Sequence, residues 1–128
     1  MEQLKLDSTH STPGVNFNPD NGQLELIGRS IPEHATRFYG PLIEWVNNFS
    51  LLKPDKVTLD VKIDYLNSSS SKLLLEVFEK LEPIHAEGAQ VSVNWYYEED
   101  DDEMLEAGEE YDDSIDVPFH FIGVEEFE

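Results

Sequence analysis

The sequence predicts a single α/β domain whose mixed β-sheet carries its helices mainly on one face. The chain has 128 residues, of which 39% are hydrophobic, enough for one core and too few for two. After an initial hairpin, helical and strand patterns alternate, which favours parallel strands joined by right-handed crossovers. The predicted strands alternate apolar with polar residues, whereas parallel strands covered on both faces are apolar throughout. One face of the sheet is therefore expected to remain open to water.

A β-hairpin is predicted first, because residues 15–18 and 23–27 alternate apolar and polar residues around a turn. The turn sequence is Pro19-Asp20-Asn21-Gly22, a strong signal for a tight connection between two strands. A helix is expected over about residues 32–49, where apolar residues recur at helical spacing. Gly40-Pro41 lies inside this segment, so a kink or a restart is expected there.

The rest of the chain alternates strands with a second helix. Residues 57–65 give the clearest strand pattern, followed by a helix from about residue 69 to 81 that Pro83 is expected to end. Further strands are predicted over residues 91–97 and 117–123. These elements complete one domain over residues 1–128.

The charge is very unevenly distributed along the chain. Of the formal net charge of -20, the residues up to Lys80 contribute 8 bases and 11 acids, a balance of -3, and the residues after it contribute 17 acids and no Lys or Arg, a balance of -17. Such a chain would be repelled by nucleic acid and by an anionic membrane surface. A basic protein partner, or a requirement for solubility, fits this composition better.

The acidic segment at about residues 98–116 is expected to be exposed, with at most a short helix around Met104 and Leu105. Dense like charges repel one another, so residues 98–113 are predicted to be partly mobile and to hold no ordered metal. A calcium loop would need acids at alternate positions and a glycine at the sixth, whereas residues 98–103 are contiguous acids. Non-specific cation binding stays as the alternative to a solvated loop.

The sequence lacks the motifs of an enzyme. It has no cysteine, none of its 4 histidines pair at metal-binding spacing, and no nucleophile elbow or glycine-rich phosphate loop is present. We therefore predict that the protein is not an enzyme and that it needs no cofactor and no metal. The N-terminus lacks the layout of a signal peptide, and no apolar run approaches the length of a membrane span. A cytoplasmic protein without membrane insertion is expected.

The serine run Ser68-Ser69-Ser70-Ser71 lies between Asn67 and Lys72, where a strand gives way to a helix. Four backbone N–H groups lack partners at such a helix start. One interpretation is that Asn67 or Ser68 caps the helix. The other is phosphorylation, because a helix N-terminus tolerates the added negative charge well. The two roles are compatible.

The order strand, serine-containing turn, helix is also the arrangement of anti-sigma-factor antagonist (STAS) domains, in which a kinase phosphorylates a serine at the helix start. A more specific resemblance covers nearly the whole chain. Four segments in order resemble the successive motifs of SiaC-type regulatory phosphoproteins, and the chain has the length of that family. These segments are Thr9-His10-Ser11-Thr12-Pro13-Gly14-Val15-Asn16-Phe17, Gly28-Arg29-Ser30-Ile31-Pro32-Glu33, Phe38-Tyr39-Gly40-Pro41 and Tyr65-Leu66-Asn67-Ser68-Ser69-Ser70-Ser71-Lys72.

The resemblance implies a STAS-like fold and a phosphorylation switch. In that family a protein kinase phosphorylates one hydroxyl after the asparagine, a position that corresponds to Ser68 here, and a PP2C-like phosphatase removes the phosphate. The unphosphorylated form binds and activates a diguanylate cyclase of the GGDEF type, which raises cyclic di-GMP and promotes biofilm formation or aggregation. The alternatives are a phosphorylation switch that acts on another regulator, such as an anti-sigma factor, and an enzyme or calcium-binding module.

Overall fold

The computed structural model describes residues 1–127. Within them the chain forms strands and helices that alternate after an initial three-stranded antiparallel unit. In chain order these are β1 (Leu4–Leu6), β2 (Gly14–Asn18), β3 (Gln23–Ser30), α1 (Ala35–Ser50), β4 (Lys56–Leu66), α2 (Ser68–Ala86), β5 (Gln90–Glu98), α3 (Asp102–Ser114) and β6 (Phe119–Val124). The predicted hairpin is β2 and β3, which pair in antiparallel register from Gly14 opposite Ile27 to Asn18 opposite Gln23.

The sheet has the strand order β1-β2-β3-β4-β5-β6. Strands β1, β2 and β3 are antiparallel, whereas β3, β4, β5 and β6 run parallel to one another. Each parallel pair is joined by one helix, and all these crossovers step in the same direction across the sheet. Right-handed crossovers that step in one direction place their helices on one face, which is why the sheet is covered on one side.

Strand β4 shows the difference between the two faces. Val57, Leu59, Val61 and Ile63 are fully buried beneath the helices, while the residues between them are partly exposed. The predicted mixed sheet with helices on one face is therefore confirmed. The open face is polar and carries cross-strand contacts from three strands, including the Lys62–Glu25 ion pair at 3.2 Å and hydrogen bonds from Gln23 and Asn94 to the carboxylate of Asp60.

Both helices that were expected to break at a proline continue through it. Helix α1 runs without interruption past Pro41, and α2 extends beyond Pro83 to Ala86. Each proline is exposed and is followed at once by a buried residue, Leu42 or Ile84, that anchors the next turn in the core. A proline removes one backbone hydrogen bond, and burial on the opposite side of the helix offsets that loss.

Residues 102–114 form helix α3, which is longer than the short helix expected around Met104 and Leu105. Most of its carboxylates point to solvent, but one side of the helix is buried through Met104, Gly108 and Tyr111. The indole N–H of Trp95 donates a hydrogen bond to the Met104 carbonyl at 2.9 Å. A Cβ on Gly108 would lie 2.6 Å from the Trp95 ring, so the helix approaches the indole as closely as a glycine allows.

Candidate functional site

The candidate site lies at the edge of the sheet where the parallel strands end and the helices begin. Strands β3, β4 and β5 end at Ser30, Leu66 and Glu98, and the helices that follow them all start within a few residues. Side chains beyond the carboxyl ends of parallel strands form the usual location of binding sites in α/β proteins. The serine run occupies the middle of this edge, because it opens the helix that follows the central strand β4.

The side chain of Asn67 caps helix α2. Its backbone is extended, with φ -79° and ψ 169°, and its Oδ1 accepts a hydrogen bond from the Ser70 N–H at 2.9 Å. The Ser69 hydroxyl donates a second hydrogen bond to the same oxygen at 3.2 Å. The capping role therefore belongs to Asn67, and Ser68 is the first residue of the helix.

The four serines have different surroundings, although they are consecutive. Ser68 and Ser69 are exposed, Ser71 is half-buried, and Ser70 is fully buried. Residues 1–127 offer no hydrogen-bond partner to the Ser68 hydroxyl, whereas each of the other three hydroxyls has at least one. The run thus presents one free hydroxyl at the helix start and uses its later members to attach the helix to the rest of the protein.

The Ser70 hydroxyl belongs to a buried chain of hydroxyl groups. It donates to the Ser30 carbonyl at 3.3 Å and accepts from the Ser30 hydroxyl at 2.9 Å. Because the single Ser30 proton is used in that bond, the Tyr39 hydroxyl must be the donor in the 2.7 Å contact with Ser30 Oγ. Burial raises the pKa of Tyr39, which keeps this donor protonated. The chain connects α2 with β3 and α1.

The Ser71 hydroxyl attaches α2 to α3. Tyr111 of α3 donates its phenol proton to the Ser71 carbonyl at 2.8 Å, so the Ser71 hydroxyl is the donor in its 2.9 Å contact with Tyr111 Oη. Burial raises the pKa of Tyr111 to about 12, so the phenol remains a donor at neutral pH. The first turn of α2 is therefore held from both sides, by Ser70 and by Ser71.

The exposed serines line an open groove of about 540 Å³ between the N-termini of α1 and α2. Neither helix has an acidic residue in its first turn, and His34, which precedes α1, makes no side-chain capping bond. Lys72 is exposed at the groove, one turn after Ser68. Helix N-termini and a lysine both favour negative charge. The groove lining consists of Glu33, His34, Ala35, Thr36, Ser68, Ser69, Lys72 and Leu73.

The structure adds Ser30, Tyr39 and Tyr111 to the candidate site residues that were predicted from the sequence. All three fix the first turn of α2, yet Ser30 and Tyr111 are each 40 positions from their serine partners. The only sequence signal for Ser30 and Tyr39 was that each falls in a segment with family resemblance. Within residues 1–127, no three His, Asp or Glu side chains converge as a metal site would require.

No helix within the described residues is long and apolar enough to cross a membrane.

The fold and the site define a small α/β domain whose distinguishing feature is a free hydroxyl at a neutral, firmly held helix N-terminus. The chain belongs to the SiaC family of regulatory phosphoproteins, whose family profile matches residues 6–124. It is also 32% identical over 119 residues to an uncharacterised protein of Pseudomonas aeruginosa strain UCBPP-PA14, a match that covers 93% of this chain and 94% of the relative.

Solved structures of similar proteins share this fold. The crystal structure of apo-SiaC from Pseudomonas aeruginosa is 32% identical, with a TM-score of 0.86 over 96% of this chain and 100% of the other. The crystal structure of the diguanylate cyclase SiaD in complex with its activator SiaC, from the same organism, contains a chain that matches at 31% identity, with a TM-score of 0.87 over 94% of this chain and 99% of the other.

Proposed function

We propose that this protein, when Ser68 is unphosphorylated, binds and activates a diguanylate cyclase, and so raises cyclic di-GMP and promotes biofilm formation or aggregation. The observation that carries this function is the similarity, over nearly the whole chain, to a SiaC structure solved in complex with the cyclase that it activates. The role of the chain is regulatory binding in the cytoplasm, without catalysis of its own. A protein kinase and a PP2C-like phosphatase set its phosphorylation state.

Ser68 is the residue of the run best placed to accept a phosphate. A kinase must draw the acceptor hydroxyl into its own active site, which favours an exposed hydroxyl without intramolecular bonds. Ser68 meets both conditions, while the Ser69 hydroxyl bonds to the cap residue Asn67 and Ser70 is buried. The Ser71 hydroxyl donates to Tyr111. Modification of any of these three would first have to break a contact that holds α2.

A phosphate on Ser68 would change the surface and leave the fold intact. It adds about -1.5 to -2 charges next to the N–H groups of the first turn of α2, with Lys72 lining the same groove. A partner that packs over the groove would then have to bury this charge, which is costly without matched cations. A loss of about 2.8 kcal/mol in binding free energy lowers affinity roughly a hundredfold.

The test is reconstitution of cyclase activity. A diguanylate cyclase purified from the organism that encodes this chain is assayed for cyclic di-GMP production with the unmodified protein, with Ser68→Ala, and with protein carrying phosphoserine at position 68. We expect activation by the first two and a loss of activation and binding, of about a hundredfold in affinity, with the third. Phosphoserine at position 8 is the matched control, because Ser8 is exposed between β1 and β2, outside the groove, and residues 1–127 offer its hydroxyl no hydrogen-bond partner.

Several outcomes would contradict the proposal. Tighter cyclase binding by the phosphorylated protein would reverse the direction of the switch. Phosphate found only on Ser69, Ser70 or Ser71 after treatment with the cellular kinase would remove Ser68 from its role. If the unmodified protein leaves the cyclase inactive and binds an anti-sigma factor instead, the target is a different regulator and the cyclase assignment is wrong.

A further inference from the structure

The two edges of the sheet differ in how they are protected against pairing with another chain. The β1 edge is three residues long and includes the exposed Lys5. The β6 edge is six residues long, and its sequence Phe119-His120-Phe121-Ile122-Gly123-Val124 contains no Asp, Glu, Lys or Arg. Natural sheets commonly protect an edge by shortness, by charge, by proline or by a bulge. The β1 edge uses the first two, whereas β6 uses none of them within its length.

The ladder between β5 and β6 determines which backbone groups of β6 are free. Val93 N–H donates to the Pro118 carbonyl, and Glu99 N–H donates to the Val124 carbonyl. In a parallel ladder every second residue bonds to the neighbour, so His120 and Ile122 also turn their backbone groups towards β5. Phe119, Phe121 and Gly123 turn theirs outward. No hydrogen bond between residues 1–127 uses those outward N–H and C=O groups.

The charge around this edge selects the partner. Residues 98–126, which include α3 and β6, contain 14 acidic residues and no Lys or Arg. Glu125 and Glu126 follow the strand directly, and α3 precedes it with exposed carboxylates. A second copy of this chain would bring the same charge and be repelled, whereas a strand with basic side chains would be attracted.

We propose that the free edge of β6 is a binding site for an extended segment of a partner protein that carries lysine or arginine. The outward N–H and C=O groups of Phe119, Phe121 and Gly123 supply the main-chain hydrogen bonds of an added strand, and the neighbouring carboxylates select a basic one. This site involves none of the residues around Ser68, so it is independent of the phosphorylation switch.

The probe is a capped hexapeptide of alternating lysine and valine, added to the full-length protein labelled with nitrogen-15. A lysine–proline peptide has the same charge but lacks half of the N–H donors that a strand needs. A glutamate–valine peptide forms strands but carries the opposite charge. We expect the lysine–valine peptide to shift the amide signals of Phe119, Phe121 and Gly123 more than those of His120 and Ile122, and the two other peptides to leave them unchanged.

Two substitutions at one position separate backbone pairing from simple charge attraction. Gly123→Pro removes an outward N–H, whereas Gly123→Ala keeps it and places a Cβ 3.2 Å from the flexible Glu99 side chain. We expect the proline variant to bind the lysine–valine peptide about tenfold more weakly and the alanine variant to bind it as the unmodified protein does. Retention of the β5 and α3 amide signals in both variants checks the fold.

Three results would overturn the proposal. Equal binding of the lysine–proline peptide would indicate charge attraction without strand pairing. The absence of any shift at millimolar lysine–valine peptide would indicate that the edge does not pair. A concentration-dependent dimer in sedimentation experiments, lost in Gly123→Pro and kept in Gly123→Ala, would assign the edge to a second copy of the chain instead.

Discussion

The first turns of α2 and α3 are built on one plan with opposite electrostatics. Each helix follows a parallel strand, and each is capped by a short polar side chain at the same position. Asn67 Oδ1 accepts from Ser70 N–H at 2.9 Å, and Asp101 Oδ1 accepts from Met104 N–H at 3.1 Å. The geometry of the cap is therefore shared, and the chemistry of the residues around it differs.

The difference lies in where the negative charge comes from. A helix N-terminus favours negative charge within its first turn. Helix α3 has permanent charge there, with Asp101 as its cap and Asp102 and Glu103 after it, whereas α2 has an uncharged cap and hydroxyls. One helix start therefore has permanent negative charge and the other is neutral, which is the arrangement that the proposed phosphorylation of Ser68 requires.

The largest expected effect tests whether close packing of α3 against the Trp95 ring stabilises the fold. Gly108→Ala places a Cβ within 2.8 Å of three atoms of the Trp95 ring. Because the indole is fully buried and cannot move aside freely, we expect the free energy of unfolding to fall by about 3 kcal/mol, the upper part of the range for overpacked cores. Urea denaturation measures this change.

Gly40→Ala is the matched control for that substitution. It makes the same chemical change in helix α1, where no atom apart from the adjacent residues and the nearby backbone of the helix itself lies within 4 Å of the new Cβ. Alanine favours a helix over glycine by about 0.5–1 kcal/mol, but its Cβ is crowded by the ring of the following Pro41, so the stability of this variant is expected to stay within about 1 kcal/mol of that of the unmodified protein. If both variants changed stability by the same amount, close packing of α3 on Trp95 would be refuted.

The contact between the first turn of α2 and the last turn of α3 predicts a dependence on alkaline pH. The pKa of Tyr111 is raised to about 12, so between pH 10 and that value the unfolded chain releases the phenol proton while the folded chain keeps it. Stability should therefore be unaffected by this group below pH 10 and fall above it, by about 2–3 kcal/mol in total.

The Tyr111→Phe variant tests whether Tyr111 causes this dependence of the free energy of unfolding on pH. The variant loses the hydrogen bonds to Ser71 and is expected to be less stable at neutral pH, but its stability should decline less steeply above pH 10. The free energy of unfolding from urea denaturation, measured at intervals from about pH 9 to pH 11.5, gives the comparison. Parallel curves for the two proteins would show that Tyr111 does not carry the effect.

A smaller loss of stability is expected when the buried hydrogen bonds between α2 and Ser30 are removed. Ser70→Ala removes the donor to the Ser30 carbonyl and the acceptor of the Ser30 hydroxyl, both fully buried. An unsatisfied buried polar group costs about 1–3 kcal/mol, and we expect a loss of about 1.5 kcal/mol. Ser69→Ala, at an exposed position of the same turn, should change stability by less than about 0.5 kcal/mol. Equal losses would mean that the buried hydroxyl chain has no special role.

The sequence predicted local features well, because their causes are local. Alternation and a Pro-Asp-Asn-Gly turn gave the hairpin, and alternation alone gave β4 and β5. Helix α3 was expected only as a short helix around Met104 and Leu105, because its acidic residues obscured a longer helical spacing of small and apolar residues. That spacing is carried by Met104, Gly108, Tyr111 and Ile115, all of them buried.

The candidate site was only partly predictable, because some of its features depend on contacts between residues that are distant in the sequence. The serine run at a helix start, and Asn67 as one candidate cap, followed from residue types and position. The distinction between Ser68 and Ser70 did not, because it depends on contacts with Ser30 of β3 that lie 40 residues away. Nothing in the local sequence marks one of four identical side chains as buried. The packing of α2 against β3 and α1 determines which of the four serines is buried.

The smallest expected effect comes from exchanging the two capping residues, which directly tests the electrostatic difference between the starts of α2 and α3. Asn67→Asp keeps an acceptor for the Ser70 N–H and adds charge to the neutral start of α2, so we expect stabilisation by about 0.3–1 kcal/mol at low salt. Asp101→Asn removes charge from α3 and should destabilise by a smaller amount, because Asp102 and Glu103 remain. Thermal unfolding at low and high salt gives both values, and salt should reduce both. If Asn67→Asp stabilises the protein and Asp101→Asn destabilises it, charge is the difference between the two helix starts. If both substitutions destabilise the protein, the geometric fit of each capping side chain to its own helix matters more than charge.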